Sequence, residues 1–378
     1  MNEPHPTRRG VLKITGAGTA ALALTATACQ AEAGTPGNPT RSARRRWTVP
    51  ADEAPHRRTW MSWPTSDAVW GDNLAGVQRD IALLARTVAA HEPVIMCAPD
   101  RREAARARAQ CGRKVTVLDS IPTDDLWMRD TCAVFRCDGA GGMDAVGLGF
   151  NGWGGKQRHR RDAQVARGVA EFTKRDFTRA GFVGEGGGIE TDGAGTVMAT
   201  ESSLVNANRN PGKSRDRIEA EVLRAYGARK MIWAPGIKGK DITDDHIDAT
   251  SRFVRPGVVM VQVPSSDRTD IWARDAREQL AILSRATDAR GRRLRVIKVE
   301  GPTEIRSTAP TFLDSYLNFH VVNGAVITAR FGDRRTDEGA RRALAAAFPD
   351  REVIQLDVDR LMAGGGGIHC ATMQEPKP

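Results

Sequence analysis

The sequence predicts an α/β fold, and three observations predict it. Apolar residues recur at helical spacing in several stretches. Short apolar runs of strand length lie between them. The connections are short, so helices and strands alternate along the chain. At 378 residues the chain can bury a substantial core as one large domain or two ordinary ones.

Taken in order, the chain first shows Arg57–Pro64 with Trp60, Trp63 and Trp70 close together. Such tryptophans read as core, or as a flat face for a cationic ligand. Leu74, Val77, Ile81, Leu84 and Val88 mark a helix. Strands are expected at 94–97, 115–118, 196–200, 230–233, 257–263, 294–299, 316–322, 325–329 and 352–356, and another at Val134-Phe135. Further helices are expected near 101–110, 161–179, 215–226, 271–286 and 336–347. No crisp repeat is visible, yet the strand–helix cadence recurs about five times.

Composition bounds the function. With 40% hydrophobic and 27% charged residues the chain is an ordinary globular protein. The net charge of +10 invites a nucleic-acid partner, but the basic residues are scattered and no zinc-finger spacing occurs, so no nucleic acid is expected. The six cysteines form no Cys-x-x-Cys pair and are too sparse for a disulfide scaffold. Pairing of Cys97 with Cys111, or of Cys132 with Cys137, stays open. No signal of oligomeric state is present.

The N-terminus reads as an address. Thr7-Arg8-Arg9-Gly10-Val11-Leu12-Lys13 resembles a twin-arginine export signal, and the Ala-rich stretch 17–28 is too short to span a membrane. Residues 1–28 are therefore assigned as a signal peptide handed to the twin-arginine machinery. Ala26-Thr27-Ala28-Cys29 is either a cleavage site, giving a secreted protein, or a loose lipobox that tethers it through Cys29. Residues 29–50 are assigned as a flexible linker, because 30–46 carry no large apolar side chain. Residues 51–378 are assigned to a single folded domain.

Chemistry concentrates at Gly364-Gly365-Gly366-Gly367-Ile368-His369-Cys370. Glycines permit positive φ and close approach of main chain to ligand, and Cys370 is a candidate nucleophile. Asp130 closes the run Thr123–Asp130, which includes Trp127 and Arg129. Glu185 stands alone among Gly184 and Gly186–Gly188, a pattern that is not a dinucleotide fingerprint. Residues 207–214 fit a phosphate-binding loop poorly. In Asp241–Asp248, His246 and Asp248 are two apart, and in an extended segment they share a face. These residues fit either a metal site or a histidine acid/base beside carboxylates that hold a cation. No His-x-x-x-His spacing supports the metal, so no metal and no cofactor are expected.

Several carboxylates around one pocket repel one another unless a cation joins them, and guanidinium pairs with carboxylates bidentately. A thiolate attacking its central carbon, with His246 protonating the departing ammonia and then activating water, would turn a guanidino group into a ureido group.

At this point the motifs resemble those of the agmatine deiminase / bacterial-type peptidylarginine deiminase family of the guanidino-group-modifying superfamily. They are Trp63-Pro64, Thr123–Asp130, Asn151–Lys156, Glu185–Gly188, Asn208–Pro211, Asp241-x-Thr243-x-x-His246-x-Asp248 and Gly365–Cys370. The resemblance implies a five-bladed α/β-propeller, the pentein fold, built of pseudo-symmetric ββαβ units. It implies Cys370 as nucleophile, His246 as acid/base, Asp130 and Asp248 as guanidinium-binding carboxylates and Glu185 as the acid that supports the histidine and the substrate. Asn318, Trp127, Trp153 and Arg129 are expected at the substrate. The substrate implied is agmatine or a similar small guanidine, with peptidyl arginine as the alternative. An amidinotransferase and a non-enzymatic guanidine-binding protein are remoter readings. Departures include Cys132-Ala133 in place of Gly-Pro, Thr328-Ala329, the tail Ala371–Gln374, and Asp245 where the family has Gly.

Overall fold

A computed structural model describes residues 46–378. The signal peptide assigned to 1–28, Cys29 and the linker as far as residue 45 lie outside the described residues. The described chain builds five small sheets. Four share one plan: an antiparallel pair, a helix, and a third strand parallel to the second. Val134–Cys137, Met143–Gly147 and Phe177–Arg179 form one, with helix Asp162–Thr173 before the last strand. The next are Ile189–Thr191, Thr196–Thr200 and Lys230–Ala234; Ser251–Arg255, Val258–Val263 and Arg295–Glu300; and His320–Val322, Ala325–Ala329 and Glu352–Leu356. In the remaining sheet, C-terminal Thr372–Pro376 pairs antiparallel with N-terminal His56–Ser62, which runs parallel to Val94–Cys97. The two ends of the chain thus close a ring of five ββαβ modules.

Four of the long helices start where the sequence supplies caps. Asp100, Ser214, Asp270 and Asp333 each accept from backbone N–H groups of the turn that follows. The helix expected over 161–179 stops at Thr173, because Lys174 turns left-handed (φ 54°) and Phe177–Arg179 joins a sheet. The strand expected over 316–322 starts only at His320. Strands 189–191, 251–255 and 372–376 carry no apolar alternation because they bury Glu190, Arg252 and Glu375.

The linker assignment over 29–50 is corrected at its end. Thr48 bridges to Cys137, and the Val49 N–H donates to the Tyr226 carbonyl at 3.0 Å. Further on, Asp52 meets Arg252 and Gln374, the Glu53 carbonyl accepts from Arg351, and the His56 N–H donates to Asn323. Residues 48–56 are therefore a strap that touches all five modules. The extra apolar side chain that decides this is Val49, which is buried. Cys97, Cys111, Cys132, Cys137 and Cys370 are free thiols, so neither suggested disulfide forms.

Candidate active site

Each connection that enters the first strand of a module delivers one or two polar groups. Asp130 precedes Val134–Cys137, Glu185 precedes Ile189–Thr191, His246 and Asp248 precede Ser251–Arg255, Asn318 precedes His320–Val322, and Cys370 precedes Thr372–Pro376. The repeated module brings these side chains together although they are scattered through the sequence. His246 is extended but Asp248 sits in the 3-10 turn Ile247–Ala249, so the shared face does not come from one extended segment.

The convergence has a measurable centre. A methyl group placed on Gly187 would lie 2.9 Å from Asp130 Oδ1, 2.9 Å from His246 Nδ1 and 3.0 Å from Asp248 Oδ2. Among the described residues His246 Nδ1 and Asp248 Oδ1 are buried without a hydrogen-bond partner. Unpaired buried acceptors and donors are costly, and a ligand bearing N–H groups would satisfy them. Asp130 is held by the Trp153 indole N–H at 2.9 Å and the Gly187 N–H at 3.0 Å. Trp153 thus positions Asp130.

Cys370 is 9% exposed. The Asn318 amide donates to its sulfur at 3.2 Å, and Asp248 Oδ2 lies 3.7 Å from it. Asn318 Oδ1 also accepts from the His369 and Cys370 N–H groups, at 3.0 and 3.3 Å. The preceding glycines serve space more than φ, since only Gly365 is left-handed. A side chain on Gly366 would overlap Trp127, and one on Gly367 would meet Asn318 Oδ1 at 2.6 Å. The close approach is therefore to the protein's own side chains. Trp127 backs this loop and packs on Trp70 at 5.8 Å. Arg129 is buried, with Nε 3.4 Å from the His369 carbonyl.

Charge is strongly coupled here. Burial, aided by Glu185 and Asp248 against His246, pushes the Asp130 carboxyl up to about 6. Burial opposes a charged His246, but Asp130 and then Glu185 outweigh it and raise the ring to about 9. Burial, then Asp248 and Asp130, pushes the Cys370 thiol well above its ordinary value. For Asp248 burial is outweighed by His369, and for Glu185 by Arg209, so both carboxyls stay below their usual range.

The sequence reading passed over several of these partners. Arg209 Nε lies 2.8 Å from Glu185 Oε1, and its Nη1 lies 2.8 Å from Asp244. His369 Nδ1 is 2.7 Å from Asp248 Oδ2. Arg209 and His369 stand inside the motifs Asn208–Pro211 and Gly365–Cys370, which is the available signal; Asp52, Glu190 and Arg252 carry none.

Among the described residues two other clusters have metal-ligand spacing: His56, Glu92 and His320, and Asp52, Glu190 and His369. Neither offers a free cage. Glu92 already accepts from Thr59 and Asn323 and pairs with His56. The second cluster already surrounds a cation, the Arg252 guanidinium, 2.7 Å from Asp52 and 2.6 Å from Glu190.

A cavity of about 430 Å³ lies beside the catalytic loops, lined among others by Trp70, Ile242, Trp272, Phe312 and Gly364.

Five closed ββαβ modules with a thiol, an imidazole and carboxylates on their entering connections define a guanidino-group-modifying hydrolase of the pentein fold. The chain belongs to the Porphyromonas-type peptidyl-arginine deiminase family, whose description matches residues 48–376. It is 38% identical to an agmatine deiminase of Stutzerimonas stutzeri over 354 residues, covering 87% of this chain and 95% of that one. It is 36% identical to an agmatine deiminase of Pseudomonas aeruginosa, covering 90% and 99%. The solved agmatine deiminase of Enterococcus faecalis superposes with a TM-score of 0.83 at 28% identity, covering 88% and 96%.

Proposed function

We propose that the protein hydrolyses the guanidino group of agmatine, giving N-carbamoylputrescine and ammonia. The observation that carries this reading is the space above Gly187, where Asp130, Asp248 and His246 converge with unpaired buried polar atoms. A planar guanidinium offers N–H donors to both carboxylates. The relatives named above are agmatine deiminases. The burial of Cys370 suits a small guanidine better than a folded protein. The adjacent cavity has room for an alkyl tail.

In this reading the bound cation neutralises Asp130 and Asp248, which removes their hold on the thiol proton. That proton passes to solvent. The thiolate attacks the guanidinium carbon and a C–S bond forms. The C–N bond breaks as protonated His246 gives its proton to the departing ammonia. The thiouronium intermediate then takes a water, whose proton goes to His246. The C–S bond breaks and the remaining hydroxyl proton passes to solvent, leaving a ureido product and the thiolate. Asn318 steadies the sulfur through its amide.

The test is turnover of agmatine, arginine and an arginine-containing peptide by the purified protein and its Cys370→Ser variant, with and without EDTA. Ureido product from agmatine, insensitive to EDTA and absent in the variant, is expected. Activity that survives in the variant but vanishes with EDTA would sink the thiol mechanism.

Export by the twin-arginine route is part of the same proposal, supported by Arg8-Arg9 and the apolar stretch after them. The enzyme would then meet guanidines outside the cytoplasm, secreted or tethered through Cys29. Arg8→Lys with Arg9→Lys should retain the protein inside the cell; unchanged distribution by fractionation would refute export by this route.

A further inference from the structure

A chain of buried groups runs from the catalytic carboxylate to the N-terminal strap. Asp248 Oδ2 meets His369 Nδ1 at 2.7 Å, and His369 Nε2 meets Asp52 Oδ2 at 3.1 Å. The same Asp52 oxygen accepts from Arg252 Nη2 at 2.7 Å. Its other oxygen accepts from the Gln374 amide at 2.5 Å. Arg252 is fully buried, stacked 4.4 Å from the Phe319 ring, and its Nη1 donates to the Leu317 and Phe319 carbonyls at 3.1 and 2.8 Å. Those two residues flank Asn318, whose amide holds Cys370.

Asp52 therefore touches no reacting atom, yet it grips both arms that aim the catalytic groups. One arm is His369, which fixes Asp248. The other is Arg252, which fixes the backbone on either side of Asn318. Buried imidazoles and guanidiniums have several hydrogen-bonding directions, and an anchor at the far end selects one. Asp52 also lies on the strap between Thr48, which bridges to one module, and Glu53, which meets another.

We infer that Asp52 is a positioning residue of the active site, which sets the orientation of Asp248 through His369 and of Asn318 through Arg252, so that the N-terminal strap completes the guanidinium cradle. The inference rests on the reading of that site as a guanidinium cradle. It does not depend on which guanidine is the substrate.

The test compares full-length wild type, Asp52→Asn and Asp52→Ala. Cys370 is labelled by 2-chloroacetamidine, a cationic amidine that needs the carboxylates, and by neutral iodoacetamide, which does not. The ratio of the two labelling rates reads the cradle directly and works even if agmatine is not turned over. Thermal unfolding and agmatine kcat and KM are measured beside it. The ratio is expected to fall about tenfold in Asp52→Ala and about threefold in Asp52→Asn, which keeps an acceptor for His369; small displacements of catalytic groups carry costs of this order. A matching loss in agmatine kcat/KM is expected. A purely structural role would lower the melting temperature of folded protein without changing the ratio, and that result overturns the inference. Asp52→Asn is near-isosteric, so if Asp52→Ala fails to fold, a wild-type ratio in Asp52→Asn is enough to overturn it. Loss of agmatine turnover in all three proteins, with the ratio still graded, would overturn the substrate assignment and support the positioning role.

Discussion

Arg209 clasps Glu185 with its Nε 2.8 and 3.0 Å from the two carboxylate oxygens, and both side chains are fully buried. Glu185 Oε2 in turn lies 3.3 Å from His246 Nε2. The arginine therefore keeps ionised the carboxylate that helps keep His246 protonated. Arg209→Ala leaves Glu185 buried with His246 alone as its charged partner, and breaking the buried pair costs about 3–5 kcal/mol. The expected outcome is a large drop in melting temperature, together with a weaker alkaline limb of activity as His246 loses its proton at lower pH. Denaturant unfolding and a kcat/KM–pH profile check it. Wild-type stability in the variant would show that the pair is solvated in solution.

Gly187→Ala isolates the cradle from the fold. Gly187 has no left-handed φ, so alanine is tolerated by the backbone. Its methyl would occupy the space where Asp130, His246 and Asp248 meet. Turnover should fall by about 100-fold or more, since the guanidinium is displaced by about its own thickness. Melting temperature should change far less. A variant that keeps wild-type KM and kcat would place the substrate elsewhere.

The pH dependence follows from two raised groups. Asp130 is raised from 3.8 to about 6 and His246 from 6.5 to about 9. In both the folded state favours the proton-bound form. Each contribution to stability is therefore full below the unfolded value and is lost as pH rises through the folded one. Unliganded protein should lose stability between about pH 4 and 9 on this account. A bound guanidinium pairs with Asp130, the cradle carboxyl that ionises over that range. Its stabilisation, measured by calorimetry with the Cys370→Ser variant and agmatine, should grow with pH until His246 is neutral. The same titration sets an alkaline limb in kcat/KM near 9, because ammonia departs with the proton of His246. A ligand-induced shift that is flat with pH would contradict this coupling.

The α/β class and most module helices were legible because the helices present apolar stripes, joined in Arg215–Tyr226 by the capping side chain of Ser214. Leu74–Val88 and Arg215–Tyr226 are examples. The short strands nearest the site were not legible. Ser251–Arg255 buries Arg252 and Thr372–Pro376 buries Glu375, so their pattern reads as polar. Cys370, His246, Asp248, Asp130 and Glu185 stood out as reactive types in Gly-rich or acidic runs, and the structure gathers them. Trp153, in Asn151–Lys156, and Arg129, next to Asp130, were expected at the substrate, yet Trp153 bonds Asp130 and Arg129 lies against the His369 carbonyl. Asp52 could not be read, because its partners His369 and Arg252 reach it only after the ring has closed.

Asp245 offers the last prediction. Its φ is +71°, the left-handed conformation that glycine adopts freely, so the loop keeps the glycine-type bend although the residue is an acid. Its carboxylate accepts from the Ile237 N–H at 2.9 Å and is buried. Burial, then Asp275 and Asp241, pushes the carboxyl well above its ordinary value. The folded state thus resists its ionisation, and stability is lost as pH rises above the unfolded value of 3.8. Asp245→Gly relieves about 1 kcal/mol of left-handed strain and forfeits a hydrogen bond worth about 1 kcal/mol. The variant should match wild type at acid pH and become the more stable protein as pH rises. Asp245→Asn, which keeps the bond and removes the charge, should reproduce the pH-dependent part alone. Denaturant titrations at about pH 4.5 and 8 decide it, because the linkage acts only where the unfolded carboxyl is ionised. A difference between Asp245→Gly and wild type that stays constant with pH would mean that Asp245 is already ionised in the folded protein, with the neighbouring His246 as its counter-charge.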